Sequence, residues 1–188
     1  MRVRCVKDIS EYPSGSEEDR KMLAEMPLEK LLNYLFLQIR NIWRVDGLYF
    51  LGIEKKFGTE KATEIDAEVW KNMAAIEAKT LQKMFKVGEN PDVSSIIDLL
   101  RKSSWALDQP FKKIETGKAR AALRVDKCRT QEARLTKGLC EFPCKQVRFG
   151  YLKNFVKTLN PKVKMKCLTC PPGKHPKDSW CKWEFVQT

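Results

Sequence analysis

The sequence predicts an α+β fold, with N-terminal helices packed on a small, mainly antiparallel sheet of about four strands and two helices inserted among the strands. Apolar residues recur at spacings of three and four as far as about residue 104 and alternate with polar ones beyond it. Gly, Pro and Asn-Pro punctuation falls between the periodic runs, where helices and strands must end. With 188 residues and 43% apolar composition the chain can bury a proper core.

The elements follow in order. Residues 1–26, with PSGSEED, read as an irregular N-terminal arm. Residues 27–104 read as a helical portion. Pro27 suits a first helical turn, and Leu28, Leu31, Leu32, Leu35, Ile39 and Ile42 form one stripe, which Asp46-Gly47 interrupts. Leu48, Leu51, Ile53 and Phe57 continue the pattern, and Gly58 supplies a stop. A long helix then runs from Thr59 to about Phe85, with Ala62, Ile65, Val69, Met73, Ile76 and Leu81 expected inward. A short one covers about 92–103 after Asn90-Pro91.

Residues 105–188 form the α+β portion, expected to make one compact domain with 27–104. The alternating runs are Trp105 to Glu115, Ala121 to Lys127, Lys162 to Cys167 and Trp180 to Val186. Thr116-Gly117-Lys118 is a hairpin turn between the first two. Two helical stretches, Thr130 to Leu139 and Gln146 to Leu159, are the inserted helices.

Charge and cysteine are concentrated in that portion. Residues 1–110 hold 17 Lys and Arg against 18 Asp and Glu, whereas residues 111–188 hold 19 against 6, an excess of +13. Interleaved with Phe149, Tyr151, Trp180 and Trp183, this basic surface could track nucleic-acid phosphates. Alternatively, some of it offsets the negative charge of a thiolate-bound metal, or it simply keeps the surface soluble. No stretch has the roughly 20 apolar residues of a membrane helix, and the N-terminus lacks an apolar signal region, so a cytoplasmic protein is expected.

Six of the seven cysteines lie between Cys128 and Cys181. In a reducing compartment an odd count clustered this way points away from disulfides and toward metal ligation. Cys167-Leu-Thr-Cys170 is a knuckle that lets two sulfurs meet one ion, and Cys144 and Cys181 are the best completing ligands, with Cys128, Cys140 and His175 as possible additions. Pro171-Pro172 follows the knuckle directly, so no helix N-terminus activates it as a redox dithiol. Zinc is the first choice of metal and an iron-sulfur cluster the alternative, because both accept four thiolates.

The long helix has a polar ridge of Asp66, Trp70, Met73 and Glu77. With Trp43, Asp46 and Glu54 it could line a small-molecule pocket, and Glu54, Asp66, Glu77 and Cys128 are the candidate catalytic groups.

The runs IWRVDGLYFLGIEKKFG, DAEVW, IEAKTL, QEARLTKGLCEFPCK and CLTCPPGKHPKDSWCKWEF resemble an uncharacterised family of small cytosolic proteins of anaerobic bacteria and archaea, over about residues 28–186. That family is distantly similar to the L-2-amino-thiazoline-4-carboxylic acid hydrolase group. The wider resemblance implies a hydrolase-like enzyme acting on a cyclic amidine or thioimidate, with three cysteines corresponding to Cys128, Cys144 and Cys181. The knuckle pair Cys167 and Cys170 is an addition to that pattern.

Overall fold

Four antiparallel strands in the order β1-β2-β4-β3 form one sheet in the computed structural model, which describes residues 15–117 and 119–187. They are β1 (Lys112–Thr116), β2 (Arg120–Val125), β3 (Val163–Thr169) and β4 (Cys181–Gln187). The helices are α1 (Glu17–Ala24), α2 (Leu28–Met84), α3 (Val93–Arg101), α4 (Ser104–Leu107), α5 (Arg129–Thr136) and α6 (Cys144–Leu159). The fold is therefore α+β with α5 and α6 inserted between β2 and β3, as the change of period requires. Residues 1–14, which hold most of the expected N-terminal arm and Cys5, and Lys118 of the hairpin turn lie outside the described residues.

The chain divides between Gln38 and Ile39, inside α2, into two compact units. In the unit ending at Gln38, the stretch expected to be irregular contains α1. Ser16 caps it by accepting the Asp19 amide at 3.1 Å, and Glu17, Glu18 and Asp19 complement the positive end of the helix dipole.

In the unit beginning at Ile39, α2 is two antiparallel arms, 39–57 and 59–84, reversed at Gly58, whose φ of +84° only glycine adopts freely. Trp43 stacks on Trp70 at 4.7 Å, and the Trp70 indole N–H donates to Asp46 at 2.9 Å, which sets the register of the arms. Asp46-Gly47, expected to interrupt the helix, lies inside it, where the Asp46 carboxylate accepts from the Trp70 indole instead of from its own backbone. Ile65, Val69, Met73 and Ile76, expected inward, are exposed. The buried row is Ala62, Asp66, Trp70, Ala74 and Ala78, whose small side chains let the arm approach the core closely. The upstream stripe also departs from expectation: Leu28, Leu32, Leu35 and Ile42 are exposed and Ile39 is buried.

The inner face of the sheet carries Ile114, Leu123, Trp183 and Cys167 in one row and Ala121, Phe185 and Met165 in the next. Against this face lie α3, through Ile96, Ile97, Leu99 and Leu100, and α6, through Val147, Tyr151, Leu152 and Phe155. The strand expected from Trp105 begins only at Lys112, because Ser103 caps α4 by accepting the Ala106 amide at 3.2 Å and turns Trp105 inward. Asp108 clamps the pieces together, accepting from Arg40 at 2.8 Å and from Arg129 at 2.9 Å. Among the described residues no helix is long and apolar enough to cross a membrane.

Candidate functional site

The cysteines singled out by spacing converge at one end of the sheet. Cys144 is the first residue of α6, Cys167 faces Trp183 across the β3–β4 ladder, and Cys181 opens β4 opposite Val125. A register shift between Cys167 and Thr169 turns the chain into the knuckle, and Gly173 bonds back to the Cys170 carbonyl at 3.1 Å. The Lys145 amide donates to Pro171 at 2.8 Å and so ties the knuckle to the start of α6.

These supports bring Cys144, Cys167, Cys170 and Cys181 to one end of the sheet, within electrostatic reach of one another. The bond with Cys170, opposed by burial and reinforced by the Arg148 charge, draws the Cys144 thiol down to about 7. Its bonds to Cys144 and Cys181, with burial added, push the Cys170 thiol up, so Cys170 keeps its proton and donates it. Soft sulfur donors of this kind suit zinc or an iron-sulfur cluster. Among the described residues no group of three or more His, Cys, Asp or Glu is disposed to hold a metal.

The three possible additions lie differently. Cys128 precedes α5, within electrostatic reach of Cys144 and Cys181, and burial pushes its thiol up to about 12. It is a neutral thiol at physiological pH. Cys140 is exposed in the loop after α5. His175 packs on Trp180 at 4.8 Å, with Nδ1 3.0 Å from the Pro176 carbonyl and Nε2 3.5 Å from Glu141.

One turn along α6 from Cys144, Arg148 enters a second cluster. Its guanidinium carbon lies 4.9 to 5.3 Å from the ring centres of Trp43, Trp70, Trp105 and Tyr151, and the residue is 3% exposed. Its charge acts on Asp46 and Asp66, which lie close enough to act on each other. Burial, with Asp46 alongside, pushes Asp66 up to about 7. Arg148 Nε, Arg148 Nη1 and Asp66 Oδ2 are buried without a hydrogen-bond partner.

A family model described as a family of unknown function (DUF6125) matches residues 24–187. The chain belongs to this family. No curated protein matches this DUF6125 chain. Among solved structures it is similar to the phenol-responsive sensory domain of the transcription activator PoxR with phenol, at 12% identity and a TM-score of 0.49, over 77% of this chain and 73% of that one.

Of the residues picked from the sequence of this DUF6125 chain, Trp43, Asp46, Asp66 and Trp70 come together around Arg148. Glu77 reaches the rim as a positioning group, accepting the Ser104 amide at 2.6 Å and the Tyr151 hydroxyl at 2.7 Å. Met73 points to solvent. Glu54 stands apart, held in two bonds by Arg134 at 2.8 and 2.9 Å, and these bonds hold its carboxyl below the ordinary value. Sequence reasoning missed Arg148 itself. Its signal was available: it sits between Cys144 and Leu152 on the apolar row of α6, where a solvated arginine has no place.

Proposed function

We propose that this chain is a metal-binding protein in which Cys144, Cys167, Cys170 and Cys181 hold one zinc ion as a structural clip. The observation that carries the reading is that Cys144, Cys167, Cys170 and Cys181 lie at one end of the sheet, close enough for Cys144 and Cys181 to shift the Cys167 and Cys170 thiols. Four sulfurs from α6, β3, the knuckle and β4 are thus already gathered, and a tetrahedral ion would replace their shared protons. Through Cys144 the clip fixes the first turn of α6, and with it Arg148. We read the cluster around Arg148 as a site for a small polar molecule, since its unpartnered nitrogens and Asp66 Oδ2 lack the bonds that buried polar atoms ordinarily make. A hydrolase acting through Cys128 needs a thiolate there, which burial opposes, so that reading would rest on a pocket carboxylate such as Asp66.

Metal analysis of the anaerobically purified protein tests this. One zinc per chain is expected, lost in Cys170→Ser and Cys181→Ser and kept in Cys140→Ser. A brown protein with visible sulfur-to-iron absorption would replace zinc with an iron-sulfur cluster. A colourless, metal-free protein that takes up no added zinc would refute both.

A further inference from the structure

Around the Arg148 guanidinium the apolar contacts are complete and the polar ones are not. The rings of Trp43, Trp70, Trp105 and Tyr151 turn their faces to it, with centres 4.9 to 5.3 Å from its central carbon. Six buried side-chain polar atoms lack a hydrogen-bond partner among the described residues, and four of them belong to this cluster: Arg148 Nε and Nη1, Asp66 Oδ2 and Ser104 Oγ. Ser104 is part of it because its carbonyl accepts the Trp43 indole N–H at 3.3 Å and its amide donates to Glu77 at 2.6 Å. Buried polar atoms are ordinarily paired, so this concentration marks a place where partners come from outside the chain.

The chemistry of the four atoms selects the partner. Arg148 Nε and Nη1 are donors only and require acceptors. An ammonium has none to give, and it would meet the guanidinium as a like charge. Asp46 and Asp66 lie within electrostatic reach of Arg148, and Glu77 accepts the hydroxyl of Tyr151 at 2.7 Å, so carboxylates already outnumber the cation. A ligand carboxylate would add one more buried negative charge to that excess. A neutral molecule is left. Asp66 Oδ2 and Ser104 Oγ call for a donor beside the acceptor, which a carbonyl and an N–H on neighbouring atoms supply together. Aromatic faces on all sides favour a flat ring to carry them. The way in lies beside Trp43, Asp46 and Gly47, which are half-buried, and an added Cβ at Gly47 would meet nothing within 4 Å.

On the reading of this cluster as a small-molecule site, on which the step rests, we infer that its ligand is a neutral, planar cyclic amide. The carbonyl accepts from Arg148, the ring N–H donates to Asp66, and the ring lies among the four aromatic side chains. Ser104 Oγ is placed for a second polar substituent on the ring.

The test titrates four probes of similar size into the full chain with its metal content intact, followed by tryptophan fluorescence and calorimetry: 2-pyridone, N-methyl-2-pyridone, benzoate and benzylamine. 2-Pyridone is expected to bind with a Kd of about 1 mM or below, within what a ring of about seven heavy atoms can supply. N-methyl-2-pyridone, which lacks the donor, and the two charged probes should each bind about tenfold more weakly. Arg148→Met should weaken 2-pyridone about tenfold, and Ser104→Ala, a milder truncation, should leave its Kd within about threefold, with urea unfolding of both variants showing that the fold is kept. Benzoate or benzylamine binding more tightly than 2-pyridone, with the preference lost in Arg148→Met, overturns the amide and leaves the small-molecule site standing. N-methyl-2-pyridone matching 2-pyridone overturns the amide in the same way. No binding of any probe at about 10 mM, or binding that a folded Arg148→Met leaves unchanged, overturns the amide and the site together.

Discussion

Among the described residues two arginines are buried, and they are treated in opposite ways. Arg134 is 7% exposed and saturated: two bonds to Glu54, a third to the Cys140 carbonyl at 2.8 Å, and the Phe50 ring 5.5 Å away. Arg148 is buried more deeply, among four rings, yet two of its nitrogens have no partner. A buried cation is tolerable when a fixed counter-ion and full hydrogen bonding offset its desolvation. Arg134 meets that condition with a single carboxylate whose pKa is lowered. Arg148 meets it only in charge, through an aspartate pair that keeps part of its own proton. The first arginine joins α5 to the first arm of α2, and the second keeps unspent bonding capacity inside the core.

The sharpest way to break this contrast is Arg134→Met. It strands Glu54 with 14% side-chain exposure, and a loss of about 3 to 5 kcal/mol is expected in urea unfolding. A loss under about 1 kcal/mol would show that the pair is no more than a surface contact.

The next effect is a pH dependence of the metal-free protein. Because Asp66 is raised to about 7, the folded state holds a proton between about pH 4 and pH 7 that the unfolded chain has already released. Stability should therefore fall as pH rises through that window, by up to about 4 kcal/mol. Asp66→Asn should flatten the curve and be the more stable protein at pH 8. An identical slope in the variant would remove Asp66 as its origin.

The smallest effect belongs to Arg148→Met. The nearby aspartates can take up a proton in compensation, so a change of about 1 kcal/mol or less is expected in the metal-free protein, well below that of Arg134→Met. Equal losses at the two arginines would erase the distinction between them.

The sequence made the regular elements legible wherever a period met a single buried face. Strand alternation located β2 and β4, and Gly58 marked the reversal of α2. It misread the second arm of α2 because both sides of that arm are apolar. Ile65, Val69, Met73 and Ile76 give the stronger hydrophobic signal, while the true core row is carried by Ala62, Ala74 and Ala78 beside Trp70. Cysteine spacing singled out Cys144, Cys167, Cys170 and Cys181, whose places at a helix start, a strand, a knuckle and a strand start put them at one end of the sheet. The ridge of Asp66 and Trp70 was visible as a helical row. Its partner Arg148 was not, since a sequence gives the sign of a charge and says nothing of how deeply it lies.

The sheet's two outer strands bear on how such a molecule associates. Lys113 on β1 and Lys164 and Lys166 on β3 stand exposed along the edges. An incoming strand would have to seat itself against a row of ammonium groups, and strands of this same chain would bring their own. Lysines placed on edge strands in this way disfavour edge-to-edge pairing of sheets.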